Sequence, residues 1–178
     1  MAVITISRQV AALGDEISAL LAEKLGYKFI GRKVIEQKLI ENKEKISLPV
    51  DAIVGREYDE NFVDHINIDS INVDDIIYDI GMKTINKYKE IIDQSNTIFV
   101  NGTAGKYEDS KYATGTRELL NIIANSKAVK VAGGGDGVSA VKTFKFDEKF
   151  TFLSTGGGAT LDFLKGEPLP GIECLTDK

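Results

Sequence analysis

The sequence predicts an α/β fold in which helices cover both faces of a mainly parallel sheet. Three observations predict it. Short apolar runs alternate with stretches whose apolar residues recur at helical spacing. Glycine-rich turns lead from three of those runs into the next helical stretch. The chain is also large and apolar enough for a real core, with 178 residues of which 43% are hydrophobic and 28% charged.

The elements are taken in chain order. Val3–Ile6 reads as a buried strand. Ile17, Leu20, Leu21, Ala22 and Leu25 mark a helix that Gly26 stops. Tyr27–Ile30 is a short strand, a second helix centres on Val34, Ile35 and Leu39, and Asn42–Lys45 reads as a turn. Ser47–Val54 is the next strand, irregular or at an edge near Pro49, which cannot donate to a ladder. Residues 55–75 are acidic and mixed and read as a loop with one or two minor strands, at Phe62–Val63 and Ile66–Ile68. Ile76–Asp79 is a strand entering a turn at Gly81, and Met82, Ile85, Tyr88, Ile91 and Ile92 mark the helix after it.

The remainder is more regular. Strands at Thr97–Val100, Ala128–Ala132 and Phe150–Leu153 alternate with helices. These are marked by Leu119, Leu120, Ile122 and Ile123, by Val138, Ala140, Val141 and Phe144, and by Ala159, Leu161 and Leu164. Pro168 and Pro170 end the last helix. Such alternation implies parallel strands, right-handed crossovers and a Rossmann-like three-layer sandwich. The expected organisation is one α/β domain over residues 1–178.

Composition narrows the function. A net charge of −5 speaks against a dedicated nucleic-acid or anionic-membrane surface. It still allows a nucleotide, because backbone N–H groups bind phosphate inside an acidic protein. A lone Cys174 makes no internal disulfide and fits a reducing compartment. No membrane span or signal peptide is expected, and the protein reads as cytoplasmic and monomeric. His65, the single histidine, reads as a surface residue rather than a metal ligand.

Three turns stand where such sheets bind ligands, beyond the carboxyl ends of the strands. They are Asn101–Glu108, Gly133–Gly137 and Ser154–Ala159. Glycines let backbone approach a ligand, and a helix start adds free N–H groups and partial positive charge. Glycines also make plain tight turns, but three such turns favour a phosphate-binding ancestry. Asp136 would repel phosphate unless Mg²⁺ intervenes; alternatively it caps the following helix. Glu108 either accepts from ribose hydroxyls or is a solvated charge, and Lys106 is a weaker phosphate candidate.

At these turns the sequence closely resembles the C-terminal, nucleotide-binding domain of phosphoglycerate kinase. The matching pieces are Leu48–Asp51, Asp79–Gly81 with Thr84, Asn101–Gly102, Gly105 with Glu108, Gly115–Thr116, Gly133–Asp136, Ser154–Ala159 and Leu169–Gly171. They run in the family's order over about residues 45–175. The family moves a phosphoryl group between 1,3-bisphosphoglycerate and Mg-ADP, giving 3-phosphoglycerate and ATP. The resemblance implies Mg-ADP or Mg-ATP as ligand, with Asn101, Gly133, Gly134 and Gly135 near its phosphates. Glu108 would hold the ribose and Asp136 the metal. Gly156, Gly157 and Gly158 would face the transferring phosphate, as the remnant of the catalytic site. The family enzyme is longer and has two domains; its basic phosphoglycerate pocket and its glycine-lysine loop have no counterpart in this sequence. Gly137 and Thr103 replace the usual threonine and proline.

The opening segment resembles cytidylate-kinase-like P-loop proteins instead, through Ile4–Gln9, Gly14–Ile17 and Leu25–Ile30 with Arg32. Its would-be phosphate loop holds Val10-Ala11-Ala12-Leu13 and lacks the Gly-Lys-Ser/Thr close. Residues 1–41 are therefore expected as a structural βαβ fragment spliced near Leu39–Lys45, as in an engineered chimera. The expectation is a nucleotide-binding scaffold without phosphoryl transfer. The alternatives are residual kinase activity or a domain that binds nothing.

Overall fold

In a computed structural model, which describes residues 23–24 and 32–175, the chain divides into two units, residues 1–48 and 49–178. In the first, α1 (Arg32–Glu41) is the helix expected around Val34, Ile35 and Leu39. Asn42 closes it by donating from Nδ2 to the Lys38 carbonyl at 2.9 Å. The strands expected at Val3–Ile6 and Tyr27–Ile30 lie outside the described residues, as does most of the helix between them.

The second unit contains two three-stranded sheets. One joins β1 (Asp51–Arg56), β2 (Asp59–Asn67) and β3 (Ile76–Ile80) in the order β2-β1-β3, and both pairings are antiparallel. The other joins β4 (Thr97–Asn101), β5 (Val129–Gly133) and β6 (Phe152–Ser154) in that order, all parallel. Helices α2 (Met82–Asp93), α3 (Thr114–Asn125), α4 (Gly135–Thr143), α5 (Gly158–Leu164) and α6 (Pro170–Glu173) complete the unit. The fold is α/β and Rossmann-like as expected, with strands of mixed direction.

The antiparallel sheet refines the reading of residues 55–75. A nine-residue strand stands there beside β1, with Ile53 opposite His65 and Val54 opposite Asp64. It is an edge strand rich in charge, so its apolar periodicity is thin, which is how edges avoid pairing with other chains. Arg56 fastens it. Its guanidinium lies 3.9 Å from the Phe62 ring centroid, and its Nε donates to Asp75 Oδ1 at 3.1 Å. Between its two neighbours, β1 buries Ala52, Ile53 and Val54.

The main core sits between the helices and the parallel sheet. Ile92 of α2, Leu120, Ile123 and Ala124 of α3, Ala132 of β5, and Val138, Ala140 and Val141 of α4 form one buried cluster with Phe150. Helical spacing of these residues on α3 and α4 is what made those elements visible in the sequence.

A buried carboxylate ties the antiparallel sheet to the start of α2. Asp51 Oδ1 accepts from the Thr84 N–H at 2.7 Å and from Thr84 Oγ1 at 2.6 Å, and Oδ2 accepts from the Lys83 N–H at 3.0 Å. The N-cap residue of α2, Gly81, has no side chain to cap with, so Asp51, 33 positions before Thr84, does the work. Burial opposes the charge on Asp51, but the bonds from Thr84 and Lys83 outweigh it and hold the carboxyl below the usual range. Asp51→Ala is expected to cost roughly 2–4 kcal/mol at neutral pH by urea denaturation. A lowered folded pKa makes that contribution complete above the unfolded value of about 3.9 and loses it as pH falls through the folded value. The gap between wild type and Asp51→Ala should therefore close in acid; a gap equal at pH 7 and below the folded pKa would contradict the ionic role.

Candidate functional site

The parallel register places the three glycine turns side by side. Asn101 pairs with Gly133, and Gly133 with Ser154, so β4, β5 and β6 end at one level. All three turns leave from this edge, with the turn after β5 in the middle.

The central turn enters α4 through Gly134, whose φ of 77° and ψ of 152° are essentially closed to other residues. A Cβ there would also lie 2.8 Å from Asn101 Oδ1. Gly133 has a different reason: its Cβ would meet Phe99 Cζ at 2.7 Å. The first intrahelical bond of α4 runs from Val138 N to Gly134 O at 3.1 Å. The N–H groups of Gly135, Asp136 and Gly137 thus have no helical acceptor, which is the property that favours anions. Gly137 is buried, and a Cβ on it would lie 3.1 Å from the Gly102 N. The first and second turns touch there, and the lack of a side chain at Gly137 allows the close approach.

Asp136 is exposed on the first turn of α4 and makes no capping bond; Gly134 occupies the cap. Glu108 is exposed as well. Both charges reach the Tyr107 phenol, which burial first, then Glu108, then Asp136 push above its ordinary pKa. Tyr107 rests edge-on against Phe144 at the end of α4, with ring centroids 6.1 Å apart. Lys106 points elsewhere: its ammonium lies 5.6 Å from the Tyr78 ring centroid.

The third turn is held by its own side chains. Ser154 Oγ lies 2.7 Å from Thr160 Oγ1 and accepts from the Gly156 N–H at 3.2 Å. Gly157 turns the chain at φ 49°, and Gly158 opens α5. Gly157 and Gly158 have open space where a Cβ would stand.

Asp79, Gly105, Gly115 and Thr116 carry part of the family resemblance, but sequence reasoning gives them no role. They lie behind the first turn. Thr116 Oγ1 accepts from the N–H groups of Ala104 and Gly105, each at 3.1 Å, and Asp79 Oδ2 accepts from the Gly115 N–H. Desolvation raises the Asp79 pKa, only partly offset by the bonds from Gly115 and Ile80. A threonine or aspartate beside a glycine at a helix start is the local signal for such a brace, but its partner is distant in sequence.

Together these features define a Rossmann-like α/β domain with three glycine turns on one sheet edge. A family model described as phosphoglycerate kinase matches residues 8–167. A phosphoglycerate kinase of Dictyoglomus turgidum is 38% identical over 93% of this chain and 45% of its own length. That of Finegoldia magna is 42% identical over 82% of this chain and 37% of its own. Among solved structures, phosphoglycerate kinase from Coxiella burnetii superposes with a TM-score of 0.73 at 33% identity, covering 88% of this chain and 44% of that one. The Pyrococcus horikoshii enzyme gives a TM-score of 0.63 at 29% identity, covering 89% and 42%.

The chain belongs to the phosphoglycerate kinase family, and it spans less than half the length of these relatives. The match corrects the reading of residues 1–41 as a cytidylate-kinase-like fragment and of the chain as a chimera. It begins at residue 8 and runs through the supposed splice near Leu39–Lys45 without a change of family. The misreading has a physical source, since any βαβ unit shows a short β-branched strand, a glycine and an amphipathic helix.

Gly134→Ala is expected to destabilise the second unit by about 1–3 kcal/mol in thermal or urea unfolding. Gly135→Ala, whose Cβ enters open space, should change stability by no more than about 0.5 kcal/mol. Equal losses for the two would show that the turn does not need its left-handed residue.

Proposed function

We propose that the turns after β4, β5 and β6 hold the phosphates of an adenine nucleotide, Mg-ADP or Mg-ATP. The single observation that carries this is the register of Asn101, Gly133 and Ser154, which gathers three glycine turns on one edge. Amides of Gly135–Gly137 supply the positive field of a helix start, and Gly157 and Gly158, with Gly156 held by Ser154, supply open backbone beside it. Asn101 stands between the first and second turns, and Glu108 is the carboxylate suited to ribose hydroxyls.

The residues present fit a magnesium ion carried by the nucleotide. Asp136 is an exposed carboxylate beside the amides, and no cluster of three or more His, Cys, Asp or Glu suited to a metal occurs among the described residues. Magnesium is commonly held by one or two carboxylates together with substrate phosphates. Bound there, it would neutralise phosphate charge that Asp136 alone would repel.

The family resemblance implies a nucleotide half that works with a phosphoglycerate half, and the same division is proposed for this chain. Phosphoryl transfer is largely charge neutralisation and positioning. Lys106 is the one cationic side chain within the three turns and it lies over Tyr78. These 178 residues by themselves are therefore read as a binding scaffold rather than a turning-over kinase.

Calorimetric titration with Mg-ADP should show saturable binding, and heat absent even at millimolar ligand would remove the nucleotide reading. Asp136→Ala should weaken Mg-ADP about tenfold, a loss of about 1.4 kcal/mol, while metal-free ADP binds no worse. A coupled assay with 1,3-bisphosphoglycerate and ADP should stay at background; turnover abolished by Asp136→Ala would instead establish the transferase in this chain.

A further inference from the structure

The first turn has two halves of opposite character. At its front, Gly102 turns with φ 100° and has open space where a Cβ would stand. At its back, three consecutive residues are fastened. Ala104 N–H and Gly105 N–H both donate to Thr116 Oγ1 at 3.1 Å, and Lys106 N–H donates to Tyr78 O at 2.8 Å. Gly105 lies directly on the Asp79 carboxylate, with no room for a Cβ. Asp79 is itself fixed, accepting from the N–H groups of Ile80 and Gly115. Thr116 and Asp79 are 2% and 1% exposed, so neither can touch a ligand directly.

Past these fastened residues the chain makes a tight turn, closed by Tyr107 N–H to Gly105 O at 2.9 Å and Asp109 N–H to Lys106 O at 3.2 Å. Glu108 stands inside it, two residues beyond the last anchor. Those turn bonds start from Gly105 and Lys106, so the backbone at Glu108 is tied to the residues that the brace fastens.

We propose that Thr116, backed by Asp79, is a positioning residue that aims Glu108 at the ribose hydroxyls of a bound nucleotide. This rests on the nucleotide reading above and extends it to residues that never meet the ligand. Valine in place of Thr116 keeps the shape but leaves the Ala104 and Gly105 N–H groups without their acceptor. Serine restores the oxygen.

The test compares Mg-ADP with Mg-2′,3′-dideoxy-ADP, which offers Glu108 no ribose hydroxyl. Thr116→Val is expected to weaken ADP about tenfold and the dideoxy nucleotide far less, with Thr116→Ser close to wild type. Equal weakening of both nucleotides, or of neither, overturns the positioning role. If Thr116→Val does not fold, hydrogen exchange on wild type decides. Protection of the Ala104 and Gly105 amides should rise with ADP more than with the dideoxy analogue, and an equal rise or none overturns the proposal. A wild-type chain that binds neither nucleotide overturns the nucleotide reading itself, and the positioning role with it, however well those amides are protected.

Discussion

Everything at the candidate site depends on β4, β5 and β6 being parallel and ending at the same level. Parallel pairing sends each strand into a crossover helix, and equal endings put the starts of those crossovers beside each other. The glycines then solve a local problem that this geometry creates. Gly134 must turn the chain at positive φ, Gly133 must clear Phe99, and Gly137 must let the first turn lie against the second. A chain acidic overall can thereby present positive field at one edge without a single arginine there.

A second constraint is the supply of acceptors for helix starts. The caps of α2, α3 and α4 are Gly81, Ala113 and Gly134, none of which makes a side-chain capping bond. At α2 and α3 buried carboxylates from elsewhere in the sequence take over, Asp51 for Lys83 and Thr84, and Asp79 for Gly115. The two are tuned in opposite directions. Asp51 collects enough donors to stay charged against burial, whereas desolvation at Asp79 outweighs the bonds it accepts. At α4 no such carboxylate appears among the bonds described, and that helix start faces the glycine edge. Buried carboxylates thus meet the starts of α2 and α3, whereas the start of α4 lies among the glycine turns.

Much of this was legible in the sequence because its signals are local. A β-branched run, a glycine turn and helically spaced apolar residues lie within about twenty positions of each other, so β4 to α5 could be read in order. The strand at Asp59–Asn67 shows in the sequence only as the short pieces Phe62–Val63 and Ile66–Ile68 within a loop, because an exposed charged edge buries too little to show a full period. The partners of Asp51 and Asp79 were hidden for another reason. They lie 33 and 36 residues away, and no local pattern says which helix start a carboxylate will meet. Residues 1–41 show the converse error: a pattern shared by all βαβ units was given a family of its own, and the match from residue 8 onward shows otherwise.

The most direct measurement is the response of backbone amides to nucleotide, followed by NMR on isotope-labelled protein. Addition of Mg-ADP should shift the amides of Gly102, of Gly134, Gly135 and Gly137, and of Gly157 and Gly158 along one common saturation curve, as a shared anion edge requires. Shifts confined to a single turn, or curves with different midpoints at the three turns, would contradict it.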